Sequence, residues 1–225
     1  MKIAVLGTGM VGQALAARLS GLGHDVTIGT RDPQATLART EPDGMGNPPF
    51  SAWAADHADV HLATFAAAAA SAELVVNATS GFGALPALEQ AGADNLAGKV
   101  LIDISNPLDF SKGFPPSLFV KDTDSLGEQI QRAFPQTRVV KTLNTLTATL
   151  MVNPKELGGE SSIFVSGDDA EAKATVVELL ESFGHTDVID LGDISTARGT
   201  EMLLPVWLRL MGALGTGMFN FKIVR

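Results

Sequence analysis

Residues 2–12 read Lys-Ile-Ala-Val-Leu-Gly-Thr-Gly-Met-Val-Gly, a stretch in which an apolar β-type segment runs into a Gly-x-Gly-x-x-Gly turn. An alanine-rich helical pattern then continues to Leu22. Strand, glycine turn and helix in this order form the dinucleotide-binding fingerprint, whereas the glycines alone would mark only a tight turn. Gly7 permits the turn, Gly9 lets a pyrophosphate approach the backbone, and Gly12 lets the helix pack closely. We expect the free amides at the start of the helix to hold the phosphates.

The end of the second strand pattern, residues 25–29, indicates which nicotinamide nucleotide binds. An NAD site usually carries Asp or Glu there, about 20 residues beyond the glycines, to bind the ribose hydroxyls. This chain has Thr30 and Arg31 instead, and a guanidinium suits a 2′-phosphate. Asp32 before Pro33 is a typical helix start, so we interpret Asp32 as an N-cap. The sequence therefore predicts NADP with Arg31 as a phosphate ligand, the alternative for Arg31 being a solvated loop cation.

Composition limits the classes of function. The 225 residues, of which 45% are hydrophobic, suffice for one substantial core. A formal net charge of −9 argues against nucleic acid or an anionic membrane as partner. Without cysteine the chain forms no disulfide and no thiolate site. The amino terminus has no signal-peptide layout, and the apolar stretch 202–214 contains Arg209 and is too short to cross a bilayer, so we expect a cytoplasmic protein.

Strand-like and helix-like patterns alternate along the chain, which predicts an α/β fold of the Rossmann type with a doubly wound, mostly parallel sheet. We predict a dinucleotide-binding domain over residues 1–144 and a small α/β extension over 145–225 that packs on it, or one continuous domain. Predicted strands lie near 2–6, 25–29, 59–63, 73–78, 99–104, 137–142, 162–166 and 186–190. Predicted helices lie near 10–22, 33–39, 50–57, 65–71, 83–92, 124–134, 145–151, 169–183 and 195–215.

Small polar residues follow three further strands at the edge of the sheet where ligands bind in open α/β folds. The loops are Asn77-Ala78-Thr79-Ser80-Gly81, Asp103-Ile104-Ser105-Asn106-Pro107 and Lys141-Thr142-Leu143-Asn144-Thr145. An Asn side chain both donates and accepts, as a nicotinamide carboxamide requires, but Asn also favours turns and helix caps. We favour a ligand role for Asn77 and Asn144.

Other clusters carry weaker signals. His57 and His61 have a spacing that binds zinc on a helix, but a strand is predicted to begin between them, and no metal site is expected. Arg198 and Glu201 fit a surface ion pair on a helix, with a role in a cleft as the alternative. The segment 202–208 is apolar nearly all round and indicates core or a subunit interface, less strongly a wall for a planar acceptor.

The chain resembles the NADP oxidoreductases that depend on coenzyme F420, a 5-deazaflavin, and the related cytosolic NADPH-binding part of membrane metalloreductases. The segments that carry the resemblance span nearly the whole chain in order, and the last three are the most specific. They are Gly-Thr-Gly-Met-Val-Gly (7–12), Gly-Thr-Arg-Asp-Pro (29–33), Val-Val-Lys-Thr-Leu-Asn-Thr-Leu (139–146), Val-Ser-Gly-Asp-Asp (165–169) and Gly-Asp-Ile-Ser-Thr-Ala-Arg-Gly-Thr-Glu (192–201).

The resemblance implies a cleft in which NADPH crosses the glycine loop and a deazaflavin, flavin or other small molecule stacks on its nicotinamide. The chain departs from the family pattern at two places. It has Thr36 where members often carry a lysine, and it has Thr145-Leu146-Thr147 where the family can have Thr-Ile-Pro. The cofactor-binding residues predicted from fingerprint, loops and resemblance together are Gly7, Thr8, Gly9, Met10, Val11, Gly12, Thr30, Arg31, Asn77, Ala78, Thr79, Ser80, Asn106, Asn144 and Ala148.

Hydride transfer between two stacked rings requires alignment more than acid–base chemistry, so no catalytic residue is predicted. The expected function is hydride transfer between NADPH and a deazaflavin (coenzyme F420) or a flavin, by a homodimer. One alternative is an NADPH-dependent reductase of a small imine or carbonyl compound. That reaction needs a proton donor, for which Lys141 and His185 are candidates, although a strand-end lysine and a surface histidine explain them more simply. The other alternative is a protein that binds NADP without catalysis.

Overall fold

A computed structural model describes residues 1–42 and 46–225 of the chain. An eight-stranded sheet runs through the molecule in the order β10-β9-β8-β5-β4-β1-β2-β3, and β6 and β7 form a separate small antiparallel pair. The strands are β1 Lys2–Leu6, β2 Asp25–Thr30, β3 His61–Thr64, β4 Leu74–Asn77, β5 Val100–Asp103, β6 Leu108–Asp109, β7 Ser117–Leu118, β8 Arg138–Thr142, β9 Ile163–Ser166 and β10 Val188–Gly192.

Helices cover both faces of this sheet, as a doubly wound fold requires. They are α1 Met10–Gly21, α2 Pro33–Ala38, α3 Phe50–Asp56, α4 Phe65–Ser71, α5 Gly81–Ala91, α6 Ala93–Leu96, α7 Leu126–Ala133, α8 Ala148–Val152, α9 Ala170–Phe183, α10 Ala197–Met202 and α11 Leu204–Leu214, with 3-10 turns at Pro154–Leu157 and Ile194–Thr196. Among the helices of the described ranges, none has both the length and the apolar character that a membrane span needs.

Alternation along each strand divides the core into two layers. On β1, Ile3 and Val5 pack with α1, α8 and α9, whereas Ala4 and Leu6 point to the other face and pack with α4, α5 and α7. Successive strand residues point to opposite faces, so a strand that is apolar throughout must be buried on both sides. The continuous apolar strands of the sequence therefore gave a correct indication of the Rossmann-type sheet.

All eight predicted strands of the main sheet are present, but the sequence missed details elsewhere. β6 and β7 lie within residues 105–123, where no element was predicted, because two-residue strands leave no periodic pattern. The predicted helix 195–215 is broken at Leu203, where α11 starts anew with Pro205 in its first turn. Proline lacks the N–H that a continuous helix would need at that point.

The parallel strands place their carboxyl ends at one edge of the sheet, and the functional residues follow those ends. The pairs β1–β2, β1–β4, β4–β5 and β5–β8 are all parallel, whereas β9 runs antiparallel to β8. β9 and β10 extend the same sheet beyond β8. A domain boundary near residue 144 stays a prediction, because the sheet is continuous across that point.

Candidate cofactor and acceptor site

The glycine turn between β1 and α1 has three glycines with different surroundings. Gly7 has a φ of +123°, and a Cβ there would lie 2.6 Å from the carbonyl oxygen of Ala78. A Cβ on Gly12 would lie 2.1 Å from the carbonyl oxygen of Gly7. A Cβ on Gly9 would meet no atom of the described residues within 4 Å. Two glycines therefore permit close packing, and the third leaves space through which a ligand can reach the backbone.

The start of α1 offers donors to that space. Gly9 is the N-cap residue and provides no side-chain cap, so the first amides of the helix have no capping partner within it. A hydrogen bond stabilises the turn, because the side-chain amide of Gln13 donates to the carbonyl oxygen of Thr8 at 2.8 Å. Free amides at the positive end of a 12-residue helix suit the pyrophosphate of a dinucleotide. The residues present thus fit the nucleotide that the fingerprint predicts.

One cleft extends from this turn toward the end of β2 and has a volume of about 460 Å³. Thr30, Arg31 and Arg39 line it together with residues of the glycine turn. Neither arginine forms an ion pair with any residue that the structure describes. Two unpaired guanidinium groups beside one cleft fit a doubly charged 2′-phosphate.

The residues around Arg31 explain how this end of the cleft is built. The Asp32 carboxylate accepts from the amide of Ala35 at 3.0 Å, which confirms Asp32 as the N-cap of α2. Thr36 stands where related proteins often carry a lysine, and a threonine brings no positive charge to the cleft. Its buried hydroxyl lies 3.0 Å from that of Thr30. Sequence reasoning missed Arg39, which follows α2 directly. The feature that could have indicated Arg39 is its position at the end of the predicted helix 33–39, which begins beside the predicted phosphate ligand Arg31.

A second cleft, of about 530 Å³, meets the first at Gly9 and at residues 78–80, which line both. Its walls are mostly apolar and come from the starts of α1 and α5, the exits of β4, β5 and β8, the β6–β7 pair and α8. The lining side chains are Met10, Val11, Thr79, Ser80, Phe82, Ile104, Ser105, Asn106, Leu108, Phe110, Leu146 and Met151. The two clefts form one path that leads from the arginines to a largely apolar chamber.

Most of the predicted cofactor residues line this path, but Gly12, Asn77, Asn144 and Ala148 do not. Asn77 is fully buried; its amide donates to Asp103 Oδ1 at 2.8 Å, and its oxygen accepts from the Thr79 hydroxyl at 2.7 Å. The amide nitrogen of Asn144 donates to Asn106 Oδ1 and to the carbonyl oxygen of Thr200, each at 3.0 Å. These two side chains shape the loops around the cleft, and their contact with a cofactor stays a prediction.

Lys141 lies beneath the second cleft and is entirely buried. Its ammonium group lies 2.8 Å from Asp103 Oδ2 and 2.9 Å from Glu201 Oε1. Burial alone would disfavour the ammonium form, but the two carboxylates outweigh this cost and raise the pKa of Lys141. Lys141 lines neither cleft. Lys141 is thus a lysine at the end of a strand, as the simpler explanation has it. Nothing in the sequence indicates that it pairs with Asp103 and Glu201.

Two further expectations are corrected by the structure. Arg198 and Glu201 do not pair with each other: Arg198 bonds Glu128 through two nitrogens, at 2.5 and 2.8 Å, and Glu201 is buried on Lys141. His185 is not a surface histidine but is buried, with Nε2 at 2.9 Å from the carbonyl oxygen of Met151. The i, i+3 spacing suggested the Arg198–Glu201 pair, and no local pattern shows that His185 meets the distant Met151 carbonyl oxygen.

The other signals singled out in the sequence are the His57–His61 spacing and the apolar segment 202–208. His57 ends α3 and His61 begins β3, so the two do not share a helix. Among the described residues, no group of three or more His, Asp and Glu side chains could hold a metal ion. Within the apolar segment 202–208, Leu204 and Leu208 are buried in the core, while Val206 is exposed.

Comparison with known proteins extends these observations. Residues 2–107 match the family described as NADP oxidoreductase, coenzyme F420-dependent. The F420-dependent NADP reductase of Methanothermobacter marburgensis is 30% identical, over 93% of this chain and 92% of the relative. The rat metalloreductase STEAP3 is 31% identical over 97% of this chain, which spans only 40% of that protein.

A solved structure matches at full length. It is the crystal structure of a protein from Arthrobacter sp. FB24 described as a candidate F420-dependent NADP reductase, with a TM-score of 0.97 and 67% sequence identity over 100% of both chains. The matched family model covers the glycine turn, Thr30 and Arg31 at the end of β2, and the exits of β4 and β5. The chain therefore belongs to the family of coenzyme F420-dependent NADP oxidoreductases, enzymes that use NADP as cofactor.

Proposed function

We propose that this chain transfers a hydride between NADPH and the deazaflavin coenzyme F420, or a flavin, in the second cleft. The observation that carries this proposal is the continuous path from Arg31 and Arg39, across the open space at Gly9, to a mostly apolar chamber. A dinucleotide with its phosphates on the start of α1 has its adenosine end beside the arginines. Its nicotinamide end then lies in the chamber, next to the space for an acceptor.

NADPH supplies the hydride from C4 of its nicotinamide, and a ring carbon of the deazaflavin accepts it. The chain's own residues align the two rings and keep water away from them. The amides at the start of α1 fix the pyrophosphate, and Arg31 and Arg39 fix the 2′-phosphate. The apolar side chains Ile104, Leu146 and Met151 line the chamber. No proton has to move at the reacting carbons. The one proton that completes reduction of the acceptor goes to a ring nitrogen and comes from solvent, since no ionisable side chain among the described residues lines the cleft.

Aromatic side chains at the rim of the chamber favour a planar acceptor. Phe82 and Phe110 line the cleft and are both mostly exposed. The ring of Phe82 stacks on Phe119, which does not line the cleft, with ring centroids 4.3 Å apart, and this contact orients the Phe82 ring. Exposed aromatic faces at a pocket are typical of sites that bind flat rings. A small imine would use little of this surface.

The test is a panel of acceptors incubated with NADPH or NADH and followed at the nicotinamide absorbance. The panel contains coenzyme F420, FMN, FAD, riboflavin, a cyclic imine and a small ketone. We expect oxidation of NADPH in preference to NADH, with F420 or a flavin as acceptor. Turnover of the imine or ketone alone would replace this proposal with the carbonyl or imine reductase. Tight NADPH binding without oxidation by any acceptor would indicate a protein that binds the nucleotide without catalysis.

We extend the proposal to the assembly and its location. Val206, Leu214 and Met218 are exposed apolar side chains on α11 and the segment after it, which supports a homodimer. Light scattering coupled to gel filtration should give twice the chain mass of 23.4 kDa, and a monomer at high concentration would contradict the dimer. The cytoplasm is the proposed location because both co-substrates are charged and cross membranes poorly. Cell fractionation tests it.

A further inference from the structure

A buried group of charged side chains lies under the acceptor cleft and takes no part in the hydride transfer proposed above. It consists of Lys141 on β8, Asp103 at the end of β5 and Glu201 on α10, and we call it the Lys141 cluster. All three side chains are at most 1% exposed. Burying an ion pair costs desolvation free energy, so such a group is weak support for stability by itself. Its contacts point to another role.

The third bond of Lys141 goes to the wall of the cleft. An ammonium group has three donors, and the acceptors here are Asp103 Oδ2, Glu201 Oε1 and the carbonyl oxygen of Ser105, the last at 2.5 Å. Asp103 Oδ1 also accepts from the amide and hydroxyl of Ser105, at 3.2 and 2.7 Å. All polar groups of Ser105 are therefore anchored from below. Ser105 and the next residue, Asn106, line the acceptor cleft.

The same cluster also reaches the exit of β4 and a neighbouring helix. Asp103 Oδ1 accepts from Asn77, whose oxygen accepts from Thr79 at the exit of β4. Glu201 accepts from the amides of Leu126 and Gly127, at 2.8 and 3.0 Å, which are the first two residues of α7. The positive end of α7 offsets the second carboxylate of the cluster. One buried cation therefore connects loops that enclose the acceptor.

We propose that Lys141 is a positioning residue for the hydride acceptor: it holds the Ser105 carbonyl and thereby fixes the Ser105–Asn106 wall of the second cleft. This inference rests on the proposed function in one respect, since it assumes that the acceptor occupies that cleft. The glycine turn and the two arginines, which are proposed to hold the phosphates of the nucleotide, make no hydrogen bond or ion pair with the Lys141 cluster among the described residues, so we expect phosphate binding to persist without it. Loss of Lys141 should therefore affect the two halves of the path unequally.

The variant has to remove the ammonium without leaving two carboxylates buried together. Asp103→Asn with Lys141→Met does this, because the asparagine oxygen can still accept from Asn77 and Ser105 and the net charge is unchanged. Lys141→Met with Glu201→Gln removes the same ammonium by a second route. The matched control is Asp190→Asn with Lys173→Met. Lys173 makes the same kind of contacts outside the cleft, to Asp190 at 2.9 Å and to the carbonyl oxygen of Gly192 at 3.0 Å.

Three measurements decide the inference: amide hydrogen exchange of a peptide covering 104–110, NADPH affinity, and kcat and KM for F420 or flavin. In both Lys141 variants we expect faster exchange in that peptide without any ligand. The NADPH Kd should stay within about twofold, and kcat/KM for the acceptor should fall about tenfold or more, because small misplacements are costly in hydride transfer. The control pair should match the unmodified chain in all three.

Unchanged exchange and unchanged acceptor kinetics in folded variants would overturn the inference. An equal loss of NADPH affinity and acceptor kinetics, or failure of both variants to fold while the control folds, would assign Lys141 to the fold alone and overturn it as well. If the unmodified chain reduces none of the acceptors, the proposed function fails. The hydrogen-exchange comparison still decides whether Lys141 fixes the Ser105–Asn106 wall.

Discussion

Gly12 lies so close to Gly7 that a Cβ on Gly12 would stand 2.1 Å from the Gly7 carbonyl oxygen. The neighbouring glycine of the fingerprint, Gly9, would place its Cβ in open space. The first contact brings α1 against β1, and the open space exposes the amides at the start of that helix. The fingerprint thus combines one requirement of the fold with one requirement of ligand binding, and the two can be separated by substitution.

Replacing Gly12 with alanine should destabilise the chain, and replacing Gly9 with alanine should not. The Gly12→Ala methyl meets a backbone atom that cannot move aside, so we expect a loss of about 1–3 kcal/mol in the free energy of unfolding. Gly9→Ala should change that free energy by less than about 1 kcal/mol but weaken NADPH binding about tenfold, since the methyl enters the phosphate space. Urea denaturation and titration calorimetry measure the two effects. Normal NADPH affinity in Gly9→Ala would contradict the assignment of that space.

Arg31 and Arg39 should decide the preference for NADPH over NADH. A charged hydrogen bond to phosphate contributes about 1.5–3 kcal/mol, so Arg31→Ala should weaken NADPH binding about 10- to 100-fold and leave NADH nearly unchanged. Arg39→Ala should act in the same direction. Arg209→Ala is the control, because Arg209 is exposed and lines neither cleft. Equal losses of affinity for NADPH and NADH, measured by fluorescence titration, would contradict binding of the 2′-phosphate in this cleft.

Phe110 should contribute to acceptor binding but not to nucleotide binding. Its ring lines the second cleft, whereas Phe114 on the same β6–β7 loop is similarly exposed, at 63% against 56%, and does not line it. Phe110→Ala should raise KM for F420 about tenfold, in line with the free energy of an aromatic stacking contact, with an unchanged NADPH Kd. Phe114→Ala should leave both constants unchanged. Equal behaviour of the two variants would place the acceptor elsewhere.

The buried histidine should make stability depend on pH. Burial lowers the pKa of His185, and its bond to the Met151 carbonyl oxygen opposes this only in part. The folded state therefore favours the neutral ring, and its stability is fully present above the unfolded pKa of about 6.5 and lost as the pH falls below it. In His185→Gln the free energy of unfolding should fall less between pH 7 and pH 5. Identical pH profiles from urea denaturation would contradict this.

The sequence predicted the sheet because its strands are buried on both faces and therefore apolar throughout, as Val75 and Val76 on β4 illustrate. It predicted the glycine turn and Arg31 because both belong to one local motif. The β6–β7 pair escaped prediction since its strands of two residues have no period. That pair supplies Leu108 to the acceptor cleft, so part of the wall that faces the acceptor was invisible in the sequence.

The partners of charged residues could not be predicted for a different reason. Glu201 lies 60 residues from Lys141 along the chain and reaches it only because α10 packs beside α7 and β9. A helical pattern shows the neighbour three residues away, Arg198, and suggests the wrong pair. The distant hydrogen-bond partners of Asn77 and Asn144, Asp103 on β5 and Thr200 on α10, were invisible in the sequence for the same reason, and the ligand role of the two asparagines stays a prediction.

The central claim is direct hydride transfer from NADPH to a deazaflavin held in the second cleft. The measurement that tests it most directly uses NADPH with deuterium on one face of C4, prepared separately for each face, and mass spectrometry of the reduced F420. We expect deuterium on the ring carbon of the acceptor from one of the two labelled nucleotides and none from the other. Oxidation of NADPH without label in the acceptor, or no oxidation at all, would contradict the account.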